Sequence, residues 1–283
     1  MKFNLDSATT FVPDGLPIEE ALPRTTHLGI SAHQDDLEIM ALEGILQCFQ
    51  RQDKWFSGVV VTNGSGSSRI GLYADYTDED MRRVRVKEQI KAAFVGEYAA
   101  QILLDYPSSA VKDGANASPV EDLAQIIRAA RPDVVYTHNL ADKHPTHVGV
   151  TLKVIAAIRS LPETERPQHV YGCEVWRDLD WMVDSDKVLF DVSGQEGLQM
   201  ALVGIFDSQI SGGKRYDLAT MGRRRANATY FESHESDAAT GLIFGMDLTP
   251  LVQDPSKDVV AYVQEHINRF ADDVRTRISG LLG

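Results

Sequence analysis

The stretch HLGISAHQDDLE, residues 27–38, decides the fold expectation for this chain. Its apolar start, His27 to Ala32, predicts a short buried strand, and the polar residues after it lead into a helix predicted from about Glu38 to Gln50. The same succession recurs, with strands predicted at 58–62, 102–104 and 133–137 and helices at about 77–95, 118–131 and 148–161. This alternation over 27–161 predicts an α/β fold, with a mostly parallel sheet covered by helices on both faces.

The flanking regions are less regular. Residues 1–26 are punctuated by prolines and predict irregular structure, whereas 168–192 predict further strands and 194–209 a helix. A final helix of roughly 25 residues begins at Asp254-Pro255, and apolar residues follow at spacings of three and four: Val259, Val263, Ile267, Phe270, Val274 and Ile278. No repeat or clear boundary is visible. We expect one domain over 1–283, with a core at about 27–161 and a C-terminal extension at about 162–283.

Composition narrows the class of protein. The 283 residues are 43% hydrophobic and 24% charged, which is typical of a globular protein with a full core. The net charge of −13 argues against nonspecific binding to nucleic acid or anionic membranes. Cys48 and Cys173 form no CxxC pattern, and the N-terminus has no secretory apolar segment. We therefore expect a cytoplasmic protein without nucleic-acid or membrane partners, with homo-oligomerisation left open.

Two polar segments, 31–38 and 137–147, each follow a predicted strand and precede a helix. The carboxyl ends of parallel strands lie at one edge of a sheet, so these segments are expected to meet there. Together they supply two imidazoles and a carboxylate, the ligand set of many catalytic zinc sites, from His33, Asp36 and His147. The ion would polarise a carbonyl and acidify a water, and Asp35 and His144 are the candidate base and acid for amide hydrolysis.

Local stereochemistry supports these assignments. Pro145 disfavours a helical conformation for His144, so the helix is expected to begin after it, with His147 in the first turn. The positive end of the helix dipole disfavours imidazolium at His147, which keeps a nitrogen free for a metal. Read alone, each segment also fits ordinary helix capping. Their matching positions at two strand ends favour a site.

The motifs resemble those of the PIG-L or LmbE-like family of zinc-dependent deacetylases. The family's AHPDDE motif corresponds to Ala32-His33-Gln34-Asp35-Asp36, followed by Leu37-Glu38, and its HPDH motif to His144-Pro145-Thr146-His147. Its weaker RxxE element corresponds to 85–88, and Ser208-Gln209 echoes a late SQ pair. The likeness extends over about 27–150.

The resemblance implies a Rossmann-like fold and specific roles for these residues. It implies that His33, Asp36 and His147 bind zinc, that Asp35 is the general base, and that His144 stabilises the oxyanion or acts as acid. It also implies that Arg85 contacts a sugar hydroxyl. Two residues depart from the motifs: Gln34 stands in place of proline, and Thr146 in place of an aspartate, which weakens the acid role of His144. Asp142 is a candidate to supply the missing carboxylate near the substrate.

Other polar or aromatic groups have a less specific reading. The loop 63–68 follows a strand and is expected to line the substrate cleft through Asn63, but it lacks a nucleotide-binding pattern. A basic island, Lys214 to Arg225, fits a solvated face, an intersubunit contact or an anion-binding surface. Trp176 and Trp181 fit core packing or stacking on a sugar.

The predicted function is removal of an N-acetyl or other N-acyl group from a small amino-sugar-like molecule or glycoside by a metal-dependent hydrolase. Zinc is the expected metal, with Fe²⁺ and Mn²⁺ left open. One alternative is a noncatalytic relative that binds a sugar, which Thr146 permits. The other is a non-haem Fe(II) oxygenase, which uses a similar ligand set, although the predicted strand–helix alternation argues against it.

Overall fold

The computed structural model describes all 283 residues and contains one eight-stranded sheet. The strands are β1 (Thr9–Phe11), β2 (His27–Ser31), β3 (Phe56–Thr62), β4 (Ala100–Tyr106), β5 (Val134–His138), β6 (His169–Cys173), β7 (Lys187–Asp191) and β8 (Leu242–Asp247). Their order across the sheet is β1-β4-β3-β2-β5-β6-β8-β7. Strands β2 to β6 run parallel, while β1 pairs antiparallel with β4 and β8 pairs antiparallel with both β6 and β7.

Twelve α-helices and four short 3-10 turns connect the strands. The helices are α1 (Ile18–Ala21), α2 (Asp36–Met40), α3 (Leu42–Cys48), α4 (Asp78–Val95), α5 (Ser108–Lys112), α6 (Ser118–Ala130), α7 (Pro145–Arg159), α8 (Glu196–Gly204), α9 (Asp207–Ile210), α10 (Tyr216–Tyr230), α11 (Thr249–Gln253) and α12 (Val259–Leu282). The predicted α/β architecture and the long terminal helix are thereby confirmed, but that helix begins at Val259, after the Asp258 side chain accepts from Ala261 N, and not at Asp254-Pro255.

The order of the strands determines where ligands bind in folds of this kind. The chain runs from β2 outward through β3 to β4, then returns to the other side of β2 as β5. His27 of β2 therefore faces Phe56 on one side and Val134 on the other. The connections leave the sheet in opposite directions at this reversal and open a crevice at the strand ends. Both polar segments quoted above leave the sheet at this crevice.

Both faces of the sheet are packed. In β3, Val59 and Val61 contribute to the larger core, whereas Phe56 and Val60 contribute to the core on the other face. Alternate residues of a strand point to opposite faces, so a strand covered on both sides is apolar throughout. This explains the continuous β-branched run from Val59 to Thr62 in β3.

The single helix predicted at 38–50 is wrong: α2 and α3 are separate, with a break at Ala41 (φ −103°, ψ 20°). The cause lies far along the chain, because the Arg224 guanidinium donates to the carbonyls of Glu38 (2.8 Å) and Ile39 (3.2 Å). A side chain thus takes over part of the bonding that the next helical turn supplies in a continuous helix.

The helix predicted at 194–209 is likewise two helices, α8 and α9, divided at Phe206 (φ −85°, ψ 56°). The Glu88 carboxylate accepts hydrogen bonds from Ser208 N (2.8 Å) and Ser208 Oγ (2.6 Å), which fixes the start of α9.

Residues 1–26 include the edge strand β1, and β8 and α10 also lie outside the predicted elements. No helix of the chain is long and apolar enough to cross a bilayer.

Candidate metal centre and active-site cleft

The first polar segment turns sharply at the end of β2. Asp35 adopts φ 86° and ψ −32°, a conformation that favours glycine, and α2 begins at Asp36 immediately afterwards. This corner sends the Asp36 carboxylate back toward His33, whose backbone N–H donates to Asp36 Oδ2 at 2.8 Å. The turn therefore places two predicted ligands side by side.

The three predicted metal ligands lie close together. His33 Nδ1 is 3.3 Å from Asp36 Oδ2 and 3.2 Å from His147 Nε2, and His147 Nε2 is 3.4 Å from Asp36 Oδ2. Ligands bound tetrahedrally at the usual zinc distances are roughly 3.3 Å apart. The donor set, its spacing and its burial thus fit a divalent cation.

The second segment presents His147 and His144 from the start of α7. As expected, His144 is extended (φ −91°, ψ 114°) before Pro145, and its Nδ1 accepts from Thr146 N at 3.3 Å. The Asp142 carboxylate lies 3.3 Å from His147 Nδ1, so that nitrogen carries the proton and Nε2 keeps its lone pair. Asp142, proposed from sequence as a substrate residue, is buried and partners His147 instead.

His138, the last residue of β5, is a neighbour of the site that the sequence reasoning missed. It is fully buried, stacks on His147 at 3.8 Å between ring centroids, and lies 3.5 Å from Asp36 Oδ2. Asp36, His138 and His147 also satisfy the spacing of a metal site, as do His33, His144 and His147. His138 Nε2, however, accepts a hydrogen bond from Ala32 N at 2.8 Å, which occupies the lone pair a metal would need.

Arg85 lies behind the corner rather than in the cleft. It is 2% exposed and donates to both the side-chain oxygen and the backbone carbonyl of Gln34. Its Nη2 is 3.3 Å from Asp35 Oδ2. The family resemblance implied that Arg85 contacts a sugar hydroxyl, whereas in this structure its side chain contacts Gln34 and Asp35. Gln34, which replaces the family proline, provides two of the acceptors.

The electrostatics of the buried carboxylates differ. Burial raises the pKa of Asp35 well above its usual range, with Asp36 and Glu38 adding to the rise and Arg85 opposing it. Burial also raises the pKa of Asp36, but the imidazoles of His147, His138 and His33 lower it by more. The net result is a pKa below the usual range. The pKa values of these two adjacent carboxylates are thus shifted in opposite directions.

Burial and the neighbouring histidines lower the pKa of His144 to about 4, so the ring is neutral near pH 7. With Nδ1 accepting from Thr146 N, the neutral ring carries its proton on Nε2. His144 is therefore arranged as a hydrogen-bond donor at the edge of the site.

A polar cleft of about 460 Å³ opens above the ligands. Asp35 and His144 line it, together with Asn63 and the serines of the following loop. Two lysines, Lys112 and Lys214, also reach it. Hydroxyl, amide and ammonium groups predominate, which suits a ligand rich in oxygen atoms.

The basic island of the sequence is divided among several roles. Arg215 and Arg225 form exposed ion pairs with Asp217 and Glu196, whereas Arg224 is buried beneath α2. Lys214 lies 4.9 Å from the Trp176 ring centroid at the cleft. Trp176 also borders a second cavity of about 280 Å³, which Arg223 and Arg224 line on another side.

Comparison with known proteins identifies the segment that carries these residues. Residues 28–158 match the family model described as PIG-L: GlcNAc-PI de-N-acetylase, as the motifs predicted. No curated protein matches the chain.

Solved structures share the fold at low sequence identity. The conserved protein TT1542 from Thermus thermophilus is 19% identical with a TM-score of 0.61, covering 83% of this chain and 100% of that one. GalB, the 4-carboxy-2-hydroxymuconate hydratase from Pseudomonas putida, is 17% identical with a TM-score of 0.61, covering 79% and 96%. The N,N'-diacetylchitobiose deacetylase from Pyrococcus horikoshii is 15% identical with a TM-score of 0.58, covering 77% and 82%. At these identities the likeness concerns the fold.

Proposed function

We propose, from the match of residues 28–158 to the PIG-L family model, that this protein is a metal-dependent hydrolase. It removes an N-acetyl or other N-acyl group from an amino-sugar-like substrate, and zinc is its metal. The observation that carries the proposal is the 3.2–3.4 Å spacing of the ligand atoms of His33, Asp36 and His147 beneath an open polar cleft.

Each residue of the centre has a defined part. His33, Asp36 and His147 hold the cation, which when bound supplies a Lewis acid for the amide carbonyl and acidifies a water. The Asp142 carboxylate fixes the ring of His147 and its tautomer. His138 packs against His147 from the interior side.

Asp35 handles the protons of the reaction. It lines the cleft next to Asp36, and its Oδ2 is held by Arg85 Nη2. Its carboxylate accepts a proton from the attacking water and returns it to the departing amine nitrogen, so one group serves as base and then as acid. His144 donates a hydrogen bond from Nε2 to the carbonyl oxygen as negative charge develops there. That role requires no imidazolium, and it is compatible with Thr146 at the neighbouring position.

The cleft supports an amino-sugar-like substrate. Asn63 and the loop serines offer donors and acceptors for sugar hydroxyl groups, and the half-buried Trp176 offers an apolar ring face. These groups do not single out one sugar.

The test is release of the acyl acid from N-acylated sugars, including N-acetylglucosamine and N,N'-diacetylchitobiose. Protein stripped with a chelator and reloaded with Zn²⁺, Fe²⁺ or Mn²⁺ is expected to regain activity, most with Zn²⁺. Asp35→Asn should lower kcat by about 10²–10⁴-fold while metal binding persists. If metal-loaded wild type frees no acid from any member of the panel, the deacylase proposal fails, and a noncatalytic sugar binder becomes the better account.

A hydratase is the second candidate, because GalB matches this fold with a TM-score of 0.61. Addition of water to a carbon–carbon double bond would be detected as a loss of ultraviolet absorbance by an unsaturated hydroxy-tricarboxylate, without release of acetate. The oxygenase alternative rested on its similar ligand set, and the strand–helix alternation that argued against it is present in the mostly parallel α/β sheet.

A further inference from the structure

Helix α12 leaves the body of the molecule after its first half. Near its start, Tyr262 Oη donates to the Asp247 carbonyl at 2.5 Å, and Asp186 Oδ2 lies 3.1 Å from His266 Nδ1. His266 is the only buried residue of the helix. Nearly every residue from Ile267 onward is exposed, so the second half of a helix about 36 Å long extends into solvent.

An apolar stripe runs along this exposed helix. Its members are each at least 38% exposed: Val260, Ile267, Phe270, Val274, Ile278, Leu281 and Leu282. At about 100° per residue they fall within an arc of roughly 120°, with half-buried Val263 in the same arc. The steps of three and four residues from Val260 to Leu281 are those of a helix that packs lengthwise against another helix.

The exposed surface area of the stripe is comparable to the area that one partner contributes to a protein–protein interface. From their exposed fractions, these residues present on the order of 600–800 Å² of surface, since the aliphatic members lie near the low end of the range of about 150–250 Å² for an aromatic side chain. One partner of a standard-size protein–protein interface contributes about 800 Å². Exposed apolar patches of this size on a soluble protein mark interaction sites.

The charges of the helix favour another copy of the same helix over a membrane. The chain carries −13 overall, but α12 has three acidic residues (Glu265, Asp272 and Asp273) and three arginines (Arg269, Arg275 and Arg277), so two copies do not repel. Arg275 and Arg277 already pair with Asp272 and Asp273 within the helix. Helices that lie on anionic membranes have a polar face rich in Lys and Arg without such balance.

We propose that α12 is the dimerisation element of this protein, with its apolar stripe packed against the stripe of a second copy. A two-fold contact needs one self-complementary surface, and a continuous stripe on a straight helix provides it. The inference is independent of the chemistry in the cleft, which lies at the strand ends.

The experiment measures mass by light scattering on the full-length protein at micromolar concentration. Wild type should have the mass of two chains. The triple variant Ile267→Glu, Val274→Glu, Ile278→Glu should have the mass of one chain, because it places three carboxylates in the interface. The matched control is Asn268→Glu, Thr276→Glu, Ser279→Glu, which adds the same charge to the opposite face and should remain dimeric.

A second measurement separates dimerisation from misfolding and from membrane binding. Ala271→Cys places a thiol beside the stripe, and both native cysteines are buried, so oxidation should give a disulfide-linked dimer of folded protein. Circular dichroism should be equal for the two triple variants. A monomeric wild type would overturn the proposal, whether or not it binds vesicles of phosphatidylcholine and phosphatidylserine. So would a control variant that dissociates as fully as the stripe variant.

Discussion

Asp142 supports the proposed metal centre from behind, since its carboxylate contacts only one imidazole of the centre, that of His147. Asp142→Asn keeps the size of the side chain but removes the charge that orients His147. We expect zinc affinity to fall by about 10–100-fold. Competition with a chromophoric chelator measures this.

Asp6→Asn is the control for that variant, because it removes one carboxylate from an exposed position near the N-terminus. Its zinc affinity should equal that of wild type. Equal affinities for Asp142→Asn and wild type would contradict the role given to Asp142.

Arg85 acts through Asp35 and Gln34 in this structure, so Arg85→Lys should affect kcat more than KM. Lysine keeps the charge but cannot reproduce the fork of hydrogen bonds, which leaves Asp35 less firmly placed. We expect kcat to fall about tenfold or more with KM within about twofold of wild type. Steady-state kinetics on an accepted substrate gives both values. A large rise in KM with kcat unchanged would restore the sugar-contact role implied by the family motif.

The site residues differ in how far sequence could predict them. His33, Asp36 and His147 follow from residue type and from their places at two strand ends, and the fold brings those ends together. His138 escaped notice because a histidine that ends a buried strand has no local pattern to distinguish it from a core residue. Arg85 and Asp142 were linked to substrate, since sequence does not report that both are buried behind the groups they support.

At the scale of the element, α7 depends on a close approach to α5. A Cβ atom on Gly149 would lie 2.7 Å from the Val111 carbonyl oxygen, so Gly149→Ala must push the helix that carries His147 away. We expect this variant to lose about 1–3 kcal/mol of unfolding free energy. Gly222→Ala makes the same change in α10, where nothing lies within 4 Å, and should gain about 0.5–1 kcal/mol. Denaturant titration measures both, and equal effects would refute the packing argument.

The central elements were predictable because each parallel strand is an apolar run and each connecting helix has its own period. The boundaries and pairing of the elements that were not predicted depend on contacts with residues far away in the sequence. Helices α2 and α3 are separated through Arg224, and α9 begins where Glu88 accepts from Ser208. Strand β8 gains its place from pairing with both β6 and β7. A window of sequence contains none of these contacts.

For the whole molecule, we propose that 1–283 is one domain, because β7 and β8 from the C-terminal region belong to the same sheet as β2. Unfolding should then be a single transition with a pH-dependent midpoint. Burial is the main cause that lowers the pKa of His27 to about 4, with Lys54 adding to the effect. Unfolded histidine titrates near 6.5. Between these values only the unfolded chain binds the proton, so this residue's contribution to stability is lost as pH falls from about 6.5 to 4.

Burial raises the pKa of Glu38 to about 7, so Glu38 adds stability as pH falls, which is opposite to the effect of His27. The contribution of His27 is therefore measured as the difference in unfolding free energy between a His27 variant and wild type. The unfolding free energy of His27→Gln relative to wild type should improve steadily as pH falls through this window. A pH-independent difference for His27→Gln would contradict the prediction.

The backbone conformation of Asp35 has a consequence for the evolution of related proteins. A φ of 86° is a conformation that glycine adopts freely and aspartate does not, so the molecule gives up stability at the position to which we assign the proton transfer. A related protein that no longer needs turnover would gain stability by replacing this aspartate with glycine. Its other site residues would be lost more slowly, because their replacement brings no such gain. Glycine at this corner should therefore identify relatives that have lost the proposed activity.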